Sequence, residues 1–147
     1  MGWFAEVRKR VALEHIGRID LDPSAVWCQY NPESRRAWLQ CTDGYRVAQS
    51  PHYRAACNLK DAWRYERYCL ALGHTRERIS SRFLGIADMI RDGIKEPPSV
   101  LLTPLVVNEF NQCEYEIWEG HHRMASALIR GGLIACDVYR WSIRRRV

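Results

Sequence analysis

The stretch Glu116-Ile117-Trp118-Glu119-Gly120-His121-His122-Arg123-Met124-Ala125-Ser126-Ala127-Leu128-Ile129-Arg130-Gly131-Gly132 decides how the chain is read. Tyr115 to Trp118 alternates polar and apolar residues, the period of a strand. Met124 to Arg130 is rich in helix formers, and Gly131-Gly132 supplies a stop. Glu119 to Arg123 is therefore a strand-to-helix turn, in which Gly120 permits a sharp bend and the close approach of a ligand. The first amides of a helix have no intrahelical acceptor and carry a partial positive charge. An anion is their natural guest, and Arg123 adds a planar, permanently charged fork. The turn thus reads as a phosphate cradle made by Gly120, His121, His122 and Arg123. An arginine so placed also serves to pair a structural carboxylate, here Glu119.

Upstream of the turn, Ile79, Phe83, Ile86 and Ile90 fall at helical spacing, and Gly93 ends that helix. Val100 to Val107 reads as a mostly apolar strand with Pro104 at an edge, bend or bulge, and Asn108 to Glu114 as a connector. Asn58 is placed to cap a helix from Leu59 to about Leu72, stopped by Gly73. Its aromatic residues Trp63, Tyr65 and Tyr68 suit core packing, with base stacking as the alternative. Towards the start, Trp3, Phe4, Val7, Val11 and Ala12 form one stripe of an amphipathic helix over Trp3 to Ile16. Gly17 and Pro23 close that helix, and a short strand is expected within Asp20 to Tyr30. Asp43-Gly44 between Ala37–Thr42 and Tyr45–Ala48 signals a hairpin. Downstream of the turn, Leu133 to Trp141 is a last strand before a basic tail. The fold class is α+β (mixed α/β), a small mixed sheet flanked by helices.

At 147 residues and 47% hydrophobic content, one domain with one sizeable core is expected over 1–147. No long apolar run suggests a membrane span, and neither a signal-peptide core nor a myristoylation signal is present. The six cysteines stand apart without a Cys-x-x-Cys pair, which argues against a zinc ribbon and for reduced thiols in a cytoplasmic protein. The net charge of +5 is clustered in Arg8-Lys9-Arg10, Arg35-Arg36 and Arg144-Arg145-Arg146. Such clusters meet nucleic-acid phosphates or form a solvated face.

Glu119-Gly120-His121-His122-Arg123 followed by Met124-Ala125-Ser126-Ala127 resembles the G-x-x-R box of the ParB/sulfiredoxin superfamily, including its "DGHHR" members. Phe83 to Gly93, with Ile94-Lys95-Glu96-Pro97-Pro98-Ser99-Val100 after it, resembles that family's helix, glycine stop and "G-x-x-x-P-x-x-V" entry into a strand. The resemblance covers about Ile79 to Tyr139 and more loosely begins near Ser50, leaving 1–49 as an N-terminal extension packed on that core. It implies a nucleoside triphosphate or diphosphate as ligand, with Mg2+. It also implies that Lys95 reaches a second phosphate and that Ser50-Pro51-His52-Tyr53-Arg54 forms a third wall.

Glu119 stands where the family box often carries Asp. A carboxylate there holds a divalent cation or accepts a proton from an attacking hydroxyl. His121 and His122, being adjacent, project in different directions and do not share one metal. One of them is a candidate general acid or phosphate donor, because imidazole titrates near neutrality; each is also a candidate capping or core histidine. The candidate catalytic residues are therefore Glu119, His121 and His122, with Glu119 the candidate metal ligand and Arg144, Arg145 and Arg146 the candidate nucleic-acid contacts.

The family hosts unlike activities. Sulfiredoxins keep a reactive cysteine inside the box, where this chain has histidines, so sulfinic-acid reduction is not expected. Partition proteins continue into a helix-turn-helix module and a dimerisation domain, whereas this sequence ends about fifteen residues after Gly132. Three functions are left: a freestanding, nuclease-like ParB protein on DNA; a nucleotide-dependent phosphotransferase acting on a small molecule such as a free amino acid; and a non-catalytic nucleotide- or DNA-binding protein of a mobile element. The DNA-linked reading leads.

Overall fold

The computed structural model describes residues 9–28, 45–71, 73–105 and 114–144. Within them the chain is a mixed α+β fold. Its strands are β1 (Val11–Leu21), β2 (Trp27–Cys28), β3 (Tyr45–Arg46), β4 (Ser99–Leu101), β5 (Glu116–Glu119) and β6 (Ile134–Ile143). The helices are α1 (Pro51–Cys57), α2 (Ala62–Ala71), α3 (Arg76–Asp92) and α4 (His121–Arg130). The six strands form one sheet in the order β1-β6-β4-β5-β2-β3. The β1/β6, β4/β5 and β2/β3 pairs are antiparallel, and β6/β4 and β5/β2 are parallel. Residues before position 50 thus supply three of the six strands.

Along β6, Ile134, Cys136 and Val138 are buried while the residues between them are more open, the period-two alternation of a sheet with one covered face. That face packs on Met124, Ala125 and Ala127 of α4, with Val26, Val47, Val100 and Ile117 completing the layer. The second apolar cluster joins α1, α2 and α3 through Ala55, Tyr65, Tyr68, Cys69, Ile79 and Ile86. α4 therefore lies between the sheet and the other helices, and its first turn sits at the junction of both clusters.

The expected helix over Ile79 to Ile90 is α3: Thr75 caps it by accepting from the Arg78 amide, and Gly93 ends it at φ 97°. The helix after Asn58 begins with a 3-10 turn, Leu59–Asp61, whose Lys60 amide is capped by the Asn58 side chain, and continues as α2. Two expectations are corrected. Lys9 and Arg10 are helical, but from Val11 the chain is a strand, not the continuation of a helix to Ile16. The apolar positions that suggested the helix lie mostly before Val11, and ten residues of ladder to β6 decide the rest. Gly17 follows a bulge in that ladder instead of ending a helix. Across the ladder, Arg18 Nε and His15 Nε2 both meet Asp137 Oδ1, at 3.0 and 3.1 Å. Of the strand expected over Val100 to Val107, only Ser99–Leu101 is strand; Pro104 is buried after the chain has left the sheet. Residues 106–107, the connector through 113 and the hairpin tip at Asp43-Gly44 lie outside the described residues.

Cys28, Cys69 and Cys136 are buried, Cys57 is exposed, and none of the four is in a disulfide. Burial pushes the Cys136 thiol up to about 12, and that of Cys28 further still. Alkylation of native protein should therefore label Cys57 quickly and these buried thiols slowly. After denaturation without reductant, mass spectrometry should find all six cysteines alkylated; a stoichiometric disulfide would contradict the reduced state.

Candidate functional site

β5 ends at Glu119 and the chain turns through Gly120 at φ 107°, ψ 38° into α4. The left-handed conformation calls for glycine, and the surroundings add a second reason. A Cβ on Gly120 would lie 2.7 Å from the Pro98 Cβ. Gly120, as the N-cap residue, has no side chain with which to cap α4, and the first intrahelical bond is Met124 N–H to Gly120 O at 2.8 Å. The amides before Met124 therefore open the helix with no intrahelical acceptor.

The side chains of the turn go different ways. Arg123 Nη1 donates to Pro97 O at 2.9 Å and more weakly to Glu96 O at 3.5 Å. It braces the segment that enters β4, and it does not pair with Glu119. Among the described residues its Nε and Nη2 have no hydrogen-bond partner, so half of the fork stays open to an anion. Glu119 is exposed, without an ion-pair partner among the described residues. Lys95 acts on Asp92 at the end of α3, and it is not among the charges acting on His52, His74 or His122.

His122 turns inward. Its Nε2 lies 2.6 Å from the Tyr65 hydroxyl of α2. Burial pushes the imidazole pKa down to about 3, helped by Arg82 and by His121. His122 is thus held neutral near pH 7, in keeping with the core alternative open to either histidine. Burial, then the neighbouring Cys69, push the Tyr65 phenol upward, so Tyr65 keeps its proton near neutrality. His52, 1% exposed on α1, stacks on His121 at 5.7 Å and meets His122 edge-on at 4.5 Å. Burial, then His122, hold the His52 pKa well below its ordinary value. So the segment read as a third wall does deliver His52 to the turn.

Three neighbours were not read from the sequence as site residues. Tyr65 was assigned to core packing, and it is both core and a hydrogen-bond partner of His122. His74 and Arg82, joined at 3.0 Å through His74 Nε2 and Arg82 Nη1, lie in the turn before α3 and on α3. No local spacing marks them, because α3 and α4 meet only in the tertiary fold.

Among the described residues, no group of three or more His, Cys, Asp or Glu comes together to hold a metal ion. A magnesium ion beside Glu119 would therefore have to draw most of its ligands from outside the protein. Of the basic clusters, the structure brings two together. Arg144 N–H donates to Arg10 O at 2.7 Å, and Arg10 Nη2 reaches Arg144 O at 3.4 Å, so Lys9, Arg10 and Arg144 share one end of the β1/β6 ribbon. Arg35-Arg36, Arg145 and Arg146 lie outside the described residues. No described helix is long and apolar enough to cross a membrane. No family model, curated protein or solved structure matches the chain.

Proposed function

We propose that the chain is a ParB-like domain that binds a phosphate-bearing ligand, a nucleotide or a nucleic-acid phosphate, at the Glu119–Arg123 turn, and that it acts on DNA in a nuclease-like manner. The observation that carries this is the glycine-entered start of α4, with Arg123 in its first turn. Phosphate oxygens accept what these amides and the open edge of Arg123 offer. Support for the DNA half comes from Lys9, Arg10 and Arg144, which the β1/β6 pairing gathers from opposite ends of the chain. Glu119, exposed beside the turn, is the group placed to take a proton from an attacking water or to share a magnesium ion with the phosphate. Its lack of an ion-pair partner among the described residues also favours a second reading, a nucleotide-dependent phosphotransferase in which Glu119 accepts a proton from a small-molecule hydroxyl.

Fluorescence anisotropy with mixed-sequence duplex DNA across a salt series, run beside thermal denaturation with nucleotides and magnesium, tests the proposal. Steeply salt-dependent DNA binding is expected, and Arg10→Ala with Arg144→Ala should flatten the log–log slope by about two units. A nucleotide should raise the melting temperature, since a ligand that binds only the folded state stabilises it. Weak, salt-insensitive DNA binding with retained nucleotide stabilisation would transfer the assignment to the phosphotransferase. Absence of both DNA binding and nucleotide stabilisation would refute the site itself.

A further inference from the structure

The outward side of α2 is a surface that the turn does not use. Tyr65, Tyr68 and Cys69 face the core, and Tyr65 reaches His122. On the other side, at helical spacing, stand Leu59, Trp63 and Leu70, which are 78%, 51% and 42% exposed. A single exposed apolar residue needs no explanation, but three along one stripe form the pattern of a contact surface.

The charges around the stripe decide what it fits. The Arg64 guanidinium carbon lies 4.5 Å from the centre of the Trp63 ring, and Asp61 holds it there, Nε to Oδ1 at 3.3 Å. Glu66, the other acidic residue of the segment, is bound by Arg76. Lys60 and Arg67, three residues before Trp63 and four after it, are exposed and make no ion pair with any described residue. Both carboxylates are thus neutralised, while two cations flank the indole about 10 Å apart along the helix. A purely apolar partner would match the leucines and leave these cations unanswered. A cation stacked on an aromatic ring, with unpaired cations to either side, is complementary to a chain that alternates planar rings with negative charges.

We propose that this face of α2 is a stacking platform for single-stranded nucleic acid, in which a base lies on Trp63 and Lys60 and Arg67 take the phosphates on either side of it. Leu59 and Leu70 extend the apolar floor beneath the neighbouring nucleotides. The platform is separate from the turn and rests on the nucleic-acid reading only for the class of its ligand. In a duplex the bases stack on one another and offer Trp63 no face, so the platform selects unpaired strands, melted ends and loops. Every base has a π-face, so little sequence preference is expected. The inner side of the same helix meets His122, so α2, about 10 Å across, stands between a seated strand and the turn.

Fluorescence anisotropy of the intact protein, with a labelled oligothymidylate and with an abasic strand of the same length and charge, separates stacking from phosphate attraction. Wild-type protein should bind the oligothymidylate about tenfold more tightly, the scale of one base stacked on an aromatic ring. That comparison is independent of how any variant folds. Trp63→Ala should abolish the difference, and Trp63→Phe should keep most of it. Lys60→Ala with Arg67→Ala should weaken both strands and flatten the log–log salt slope by about 1.4 units. Equal binding of the two strands by wild-type protein, or an undiminished difference in Trp63→Ala, would overturn the platform. If duplex binding then still depended on Arg10 and Arg144, the DNA reading would stand without it; no binding of any nucleic acid would remove both. Trp63-dependent binding to phosphatidylserine vesicles, with no preference for thymidylate over the abasic strand, would also overturn it and give this face to a lipid surface.

Discussion

Alanine at position 120 is expected to lower stability by about 3 kcal/mol and the melting temperature by about 10 °C. Two costs combine. At φ 107° a side chain strains the backbone wherever it is placed. The new Cβ would also stand 2.7 Å from the Pro98 Cβ and 3.1 Å from its Cα, which is backbone and gives way only by moving the entry to β4. Gly132→Ala separates the two, since Gly132 has φ 82° and open space around its would-be Cβ. That variant should lose about 1–2 kcal/mol, the strain alone. Pro98→Gly in the Gly120→Ala background should recover part of the difference, and a double-mutant cycle measures how much. Gly120→Ala no worse than Gly132→Ala would show that the approach of Pro98 does not matter. Because Arg123 is tied to Pro97 O across the same gap, the substitution should also weaken phosphate binding.

What was legible in the sequence is what local chemistry dictates. The turn at Gly120 needs only a strand period, a helix period and a glycine between them, all within seventeen residues. α3 carries its own stripe, cap and stop. β1 was misread because its order comes from β6, more than a hundred residues away, and as an edge strand with both faces largely open it has no strong period-two signal of its own. The site shows the same division. Gly120, His121, His122 and Arg123 are adjacent in sequence and could be named from it. Tyr65, His74 and Arg82 come to them only through helix packing, and an arginine on a helix face is by default a solvated charge. The role of Arg123 was half legible: the fork was visible, but the carbonyls of Glu96 and Pro97 that occupy one edge were not.

Acid should destabilise the protein well before its carboxylates titrate. His122 has an ordinary pKa of 6.5 when unfolded and one of about 3 when folded. Between those values the unfolded chain holds a proton that the folded chain refuses, so stability rises with pH across that window and is lost as pH falls through it. From pH 7 to pH 5 the loss from this one histidine is about 2 kcal/mol. His52, also held neutral by burial, acts in the same direction, and because the two rings touch, their effects will not simply add. The ion-paired Asp137 and Asp92 have pKa values lowered from 3.8, so their contribution is lost below about pH 4, outside the histidine window. Urea unfolding at pH 7, 6 and 5 should show the midpoint falling while the slope holds. His122→Gln, which removes the titrating group, should flatten the fall, whatever it costs at pH 7. A wild-type protein equally stable at pH 7 and pH 5 would mean that these imidazoles accept protons in place.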